Sequence, residues 1–276
     1  MFGCSPKALF PNDQKVYDSI ENYSYNYTEH TFCSYDKTPL HGLQLKPKGK
    51  PKGLIVVTNG LHENMSNRFT KWLWIVDEGY ELFTFDYRSY GESEAEPDMY
   101  GFRDDVNSAI EYAHSLDKEL DITLVGQSMG GTFVIDALAT KKYEYVTLVV
   151  ADSAFTSFAS TLNSFMLKSI ILIPLSWLPY TFAPDDLDSI KNIEKLSTPI
   201  LFVTGDSDWI VNYKNSLKLY KTAKVQKDLW IVKGAGHVES FEDRKLRKEF
   251  VKLLERKKFF SADRLKISYN FNNKNQ

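Results

Sequence analysis

The run Gly126-Gln127-Ser128-Met129-Gly130-Gly131 sets a serine between glycines two positions before and two after it. An apolar, strand-like run precedes it and an apolar helical run follows, which makes this a nucleophile elbow. The glycines leave room for a turn so sharp that the central residue is strained. Ser128 Oγ then projects above the C-terminal edge of a sheet, where the following helix aims its positive end at developing negative charge. A serine hydroxyl is a weak nucleophile on its own; it needs a base, and the base needs a carboxylate that fixes its tautomer. In this setting acid and histidine follow the serine in chain order. Of His30, His41, His62, His114 and His237, only His237 lies after Ser128. It closes Lys233-Gly234-Ala235-Gly236-His237, a glycine-loosened turn between the last central strand and the last helix. Asp152, Asp206 and Asp208 all follow apolar runs and are candidates for the acid. Asp206 has another task open to it, stabilising its turn or capping the next helix. The oxyanion of an acyl transfer needs two backbone donors. Met129 N–H is one, and the loop Thr58-Asn59-Gly60-Leu61-His62-Glu63 offers Leu61 N–H as the other, because Gly60 lets the backbone turn toward the site.

Other chemistries find less support. His62-Glu63 has no second histidine at helical spacing, so the H-E-x-x-H zinc pattern is absent, and no phosphate loop or dinucleotide fingerprint occurs. No metal and no cofactor is expected.

The elements that must position these residues alternate along the chain. Runs at 54–58, 81–85, 122–125, 146–150, 200–203 and 229–232 are rich in β-branched and aromatic residues and read as buried strands. Between them Phe69, Trp72, Leu73 and Val76 recur at helical spacing, as do Val106, Ala109, Ile110 and Ala113. Further helices are expected from the elbow to about Thr140, over 213–220, and along Leu246, Phe250 and Leu254. This alternation predicts an α/β fold, a mostly parallel central sheet with helices on both faces. Residues 25–34 and 40–45 predict an antiparallel pair at one edge. The division expected is an N-terminal extension over 1–24, one domain over 25–255 and a C-terminal tail over 256–276, frayed from Asn270 onward. One interval breaks the rhythm: the stretch between Ala151 and Ile200 far exceeds an ordinary crossover and predicts a small cap over about 155–190. Its Phe155, Phe158, Phe165, Trp177, Tyr180 and Phe182 either line an acyl pocket or pack the cap onto the body.

Composition sets the outer bounds. The chain has 276 residues, 43% of them hydrophobic and 25% charged, which is globular usage and excludes a disordered, collagen-like or coiled-coil chain. A net charge of −2 provides no positive field for nucleic acid or anionic lipid. Cys4 and Cys33 are too few for a disulfide scaffold and wrongly spaced for zinc, so two free thiols and a cytoplasmic location are the default. Met1-Phe2-Gly3-Cys4-Ser5 nevertheless resembles the end of a bacterial lipoprotein signal, which sets a periplasmic or lipoprotein location with the signal trimmed as the alternative. Membrane contact would come through a lipid on Cys4 or through the apolar cap. The cap's most apolar stretch, Ser169 to Tyr180, is too short to span and carries Pro174 and Pro179.

The elbow, Asp86-Tyr87-Arg88-Ser89-Tyr90-Gly91-Glu92-Ser93, Gly205-Asp206-Ser207-Asp208 and Gly236-His237 together resemble the α/β-hydrolase superfamily over about residues 40–255. Within it the chain is similar to the serine-aminopeptidase and monoacylglycerol-lipase-like branch with a small cap. The resemblance implies an α/β-hydrolase fold and selects Asp208 as the acid, three residues after Gly205. The residues 86–93 are expected to form a structural loop beside the site. The family usually has His-Gly where this chain has Asn59-Gly60, a departure that bears on substrate placement more than on the triad. The activity implied is cleavage of a carboxylic ester, acyl or lipid-like and of short to medium chain, through an acyl-enzyme on Ser128. The alternatives are a serine peptidase, although no acidic cluster is clearly dedicated to a substrate amino terminus, and a catalytically idle binding protein on the same scaffold.

Overall fold

The computed structural model describes residues 10, 13–61, 63–169, 171–256 and 264–270. Its strands are β1 (Asn26–Cys33), β2 (Pro39–Lys46), β3 (Leu54–Thr58), β4 (Glu81–Phe85), β5 (Ile122–Gln127), β6 (Val146–Asp152), β7 (Ile200–Gly205), β8 (Lys227–Lys233) and β9 (Arg264–Asn270). Among the described residues they form one sheet in the order β1-β2-β4-β3-β5-β6-β7-β8-β9. The pairs β1–β2 and β2–β4 are antiparallel, and from β4 to β9 every pair is parallel.

The helices are α1 (Met65–Arg68), α2 (Leu73–Asp77), α3 (Met99–Leu116), α4 (Met129–Thr140), α5 (Phe158–Met166), α6 (Pro179–Phe182), α7 (Ser189–Asn192), α8 (Lys214–Thr222) and α9 (Arg244–Leu254). Side chains of a strand alternate between its faces, so a run without polar residues implies cover on both sides. That is how the core divides. Leu54, Val56, Ile200 and Phe202 join one cluster with Val106 and Ile110 of α3, Phe133 of α4 and Leu219 of α8. Ile55, Val57, Leu201 and Val203 join the other, with Met65 of α1, Ile75 of α2 and Leu246 and Phe250 of α9. The helical face Phe69-Trp72-Leu73-Val76 is buried as its spacing predicts, but the helix is broken. A 3-10 turn over Phe69–Trp72 separates α1 from α2.

The C-terminal end of the chain departs from the expected division. Residues 264–270 are no tail: they pair in parallel with β8 as the last strand. The alternation Leu265, Ile267, Tyr269 against Lys266, Ser268, Asn270 is a strand period inside a polar composition that masks it. The fraying expected beyond Asn270, like residues 257–263, lies outside the described residues. At the other end the extension is docked. Asn64 Nδ2 donates to the carbonyls of Asp13 and Lys15 at 3.1 and 2.8 Å, and Ile20 is buried in the second cluster. Cys4 lies outside the described residues; Cys33 is an exposed free thiol.

The interval between β6 and β7 forms a cap of short helices, α5 to α7, joined by 3-10 turns. Its two ends are tied to the body. Thr156 Oγ1 donates to Asn215 Oδ1 of α8 at 3.0 Å, and Asn192 Nδ2 of α7 donates to Asp136 Oδ1 of α4 at 3.0 Å. Among the described residues no helix is long and apolar enough to cross a membrane.

Candidate active site

β5 ends at Gln127 and α4 begins at Met129, which leaves a single residue to reverse the chain. Ser128 does so at φ 53°, ψ −117°, a conformation that costs an L-residue about 1–3 kcal/mol and persists only where its surroundings impose it. They do. Ser128 N–H donates to Asp152 O at 2.7 Å. A Cβ on Gly126 would stand 2.5 Å from Gly131 Cα, and one on Gly130 would stand 2.5 Å from Thr58 O. The glycines of the motif are thus required by close approach of strand, helix and the loop after β3.

The loops after β7 and β8 bring up the partners. A Cβ on Gly205 would overlap the Ala235 carbonyl, so the two loops meet in direct contact. His237 Nδ1 lies 2.8 Å from Asp208 Oδ2 and its Nε2 lies 2.9 Å from Ser128 Oγ. A carboxylate only accepts, so Nδ1 carries the proton and Nε2 is left to accept from the hydroxyl. Asp208 is itself fixed, because its Oδ1 accepts from Ile210 N–H at 2.9 Å and Val211 N–H at 2.8 Å. The histidine loop is held by two contacts that no local pattern announces. Gly236 N–H donates to Glu239 Oε2 at 2.8 Å, and Val238 N–H to Ser153 Oγ at 3.4 Å.

The other acid candidates are engaged elsewhere. Asp206 Oδ1 accepts from Gly234 N–H at 2.6 Å and stitches its own turn to the β8 loop. Asp152 lies wholly buried behind Ser128, where Oδ2 accepts from Gln127 Nε2 at 3.4 Å and Oδ1 from Ser153 Oγ at 3.3 Å. Burial pushes its carboxyl up to about 6, against the pull of the Gln127 amide.

Met129 opens α4, so its N–H has no intrahelical acceptor. The backbone at Gly60 approaches the elbow closely, since a Cβ there would stand 3.3 Å from Ser128 Cβ. Leu61 is half-buried and packs against the first core cluster. Asn59 is buried, with neither amide atom hydrogen-bonded among the described residues. Glu63 Oε2 and Arg68 Nε form an ion pair at 3.1 Å just beyond. Asp86, from the loop expected to be structural, accepts from Met65 N–H at 2.5 Å and so anchors the start of α1. Gly91 has φ +50°, and a Cβ there would overlap the Asp86 carboxylate. His62 lies outside the described residues. Among the described residues no group of three or more His, Cys, Asp or Glu side chains could hold a metal ion.

The cap's apolar residues divide between two fates. Phe155 and Phe158 are buried, with Phe158 set 5.2 Å from the Phe133 ring of α4. Farther out, Ile171, Trp177 and Tyr180 are 84%, 59% and 60% exposed. Lys168 Nζ donates to Trp209 O at 2.7 Å, which ties this outer part to the residue after Asp208. The side chain of Phe182 lies outside the described residues.

Residues 49–185 match the family described as serine aminopeptidase, S33. The uncharacterised protein YfhR of Salmonella typhimurium is 29% identical over 253 residues, which cover 86% of this chain and 82% of that protein. An esterase from Pyrococcus furiosus superposes with a TM-score of 0.70 at 17% identity, covering 88% of this chain and 94% of its own. The acylaminoacyl peptidase of Pyrococcus horikoshii does so with a TM-score of 0.65 at 17% identity, over 86% of this chain and 43% of its own. At such identities the likeness is one of fold.

Proposed function

This chain belongs to the α/β-hydrolase superfamily, and from that premise we propose that it hydrolyses a carboxylic ester through an acyl-enzyme on Ser128. The observation that carries the reading is the continuous line Ser128 Oγ, His237 and Asp208, with steps of 2.9 and 2.8 Å. His237 Nε2 takes the hydroxyl proton as Oγ attacks the carbonyl carbon. The tetrahedral oxyanion is held by the N–H groups of Leu61 and Met129. Asp208 stabilises the imidazolium, which gives its proton to the leaving alkoxide as the C–O bond breaks. Water then enters and loses a proton to His237 as its oxygen attacks the acyl carbon; the C–Oγ bond breaks, His237 returns the proton to Ser128 Oγ, and the acid leaves. Nothing in this sequence of steps calls on a metal or a cofactor.

The same machinery would cleave an amide if the leaving amine were protonated in time, and the similarity to serine aminopeptidases supports that second reading. Parallel assay of the wild-type protein on a p-nitrophenyl ester and an aminoacyl p-nitroanilide of matched acyl group separates the two. The ester is expected to turn over at least tenfold faster; a faster anilide would move the peptidase ahead. Ser128→Ala tests both. Its residual activity is expected to be only ~10³ to 10⁴ over water, the part due to binding and the oxyanion donors. Undiminished hydrolysis by that variant would exclude Ser128 as the nucleophile.

A further inference from the structure

Glu63 and Arg68 stand beside the reacting atoms without a part in the steps above. Glu63 Oε2 lies 3.1 Å from where a Cβ on Gly60 would stand, and Ser128 Cβ lies 3.3 Å from the same point. A carboxylate is therefore within a side chain's length of the place where the oxyanion would form. Two like charges at that separation, poorly screened by water, repel each other and raise the barrier. Arg68 answers this charge. Its Nε is 3.1 Å from Glu63 Oε2, and the two side chains are only 14% and 26% exposed. The pair also ties Glu63 to the end of α1, because Arg68 ends that helix, whose first residues are held by Asp86 and Asn64.

We propose that Arg68 is a positioning residue for the reaction: paired with Glu63, it neutralises the carboxylate beside the oxyanion site and holds the loop so that Leu61 N–H faces that site. The proposal rests on the acyl-transfer reading. Its signature is that removing Arg68 alone does more harm than removing both partners, since only the first leaves an unpaired carboxylate beside the oxyanion.

The test compares wild type, Arg68→Met, Glu63→Gln, the double variant and Arg68→Lys as full-length chains, on p-nitrophenyl butyrate and on a butyryl trifluoromethyl ketone as inhibitor. Fluorophosphonate labelling of the wild type comes first, because it reports the reactivity of Ser128 whatever Arg68 does. Absence of labelling would sink the acyl-transfer reading and this proposal with it. Given labelling, Arg68→Met is expected to lose about 10- to 100-fold in kcat with KM within about threefold of wild type. The affinity for the trifluoromethyl ketone, whose hydrate-like adduct uses the oxyanion donors, should fall in parallel with kcat/KM. The double variant should return to within about threefold of Glu63→Gln, and Arg68→Lys should keep most of the activity. Equal losses in Arg68→Met and the double variant would overturn the proposal. So would a raised KM at constant kcat, which would make Arg68 a substrate contact. Thermal unfolding checks that each variant folds. If Arg68→Met does not, the double variant and Arg68→Lys decide, and a loss of about tenfold or more in both overturns the pairing.

Discussion

Asp208 spends one carboxylate oxygen on His237 and the other on two backbone N–H groups, so it cannot turn without losing three contacts. Replacing it by Asn preserves the shape but offers His237 a donor as readily as an acceptor, which favours the wrong tautomer. Asp208→Asn should therefore lose about 10⁴-fold in kcat. Asp206→Asn keeps an oxygen for Gly234 N–H and should lose less than about tenfold. Rates of p-nitrophenyl butyrate hydrolysis decide, and the reverse order would move the acid to Asp206. Asp152 makes a different prediction, one of stability. Its folded carboxyl titrates at about 6, whereas an unfolded aspartate titrates near ~3.9. Between those values the folded state keeps a proton that the unfolded state has released, so stability falls as pH rises through the window. Above it the deficit is complete, about 2–3 kcal/mol. Asp152→Asn removes the titration while keeping an acceptor for Gln127 and a partner for Ser153. Its gain in Tm over wild type should be larger at pH 8 than at pH 4.5. Equal gains at both would show that the carboxylate does not titrate there.

At the scale of elements, the site depends on how closely strands and loops approach. Gly205 permits the contact between the β7 and β8 loops that sets Asp208 against His237. Gly205→Ala must push the two apart, at a cost of about 1–3 kcal/mol in stability, and should reduce kcat at least tenfold while leaving the elbow in place. Full activity in a folded Gly205→Ala protein would show that the contact is not what registers the two loops. The same scale explains what the sequence discloses. Ser128, its glycines and the buried strands are legible because each is a local pattern with one structural solution. His237 is legible by chain order. Asp208 and Asp206, two residues apart in one loop, need either the family resemblance or the three-dimensional contact to separate them. Glu63 and Arg68 are five apart across the start of a short helix, a spacing with no period, and Ser153 meets Val238 from another strand end. The first pairing matches no regular period, and no sequence window contains the second. β9 is missed for a different reason: its alternation is regular, but it is embedded in polar residues that outweigh it.

Across the whole molecule the cap is the part whose side chains least determine their own role. Its base is core, since Phe155 and Phe158 are buried against α4. Its outer part is not, with Ile171, Trp177 and Tyr180 largely in water and Trp209, 71% exposed, beside the Asp208 loop. Neither a closed apolar pocket nor simple packing of cap on body describes that division. Apolar side chains left in water still have area to bury against an acyl chain that reaches them. Each methylene so covered contributes up to ~0.8 kcal/mol, or about fourfold in kcat/KM. A p-nitrophenyl series from acetate to hexanoate should therefore rise with chain length, by less than that limit per carbon because the patch is open on one side. If the exposed patch binds the acyl chain, the slope comes from the cap. The double variant Ile171→Ser, Trp177→Ser should flatten the series while leaving the acetate rate within about twofold of wild type, since acetate is too short to reach the patch and exposed substitutions cost little stability. A flat series in the wild type would remove the acyl-binding role from the cap. A slope that survives the double variant would assign the chain's contacts to the buried wall below it, around Phe155 and Leu61.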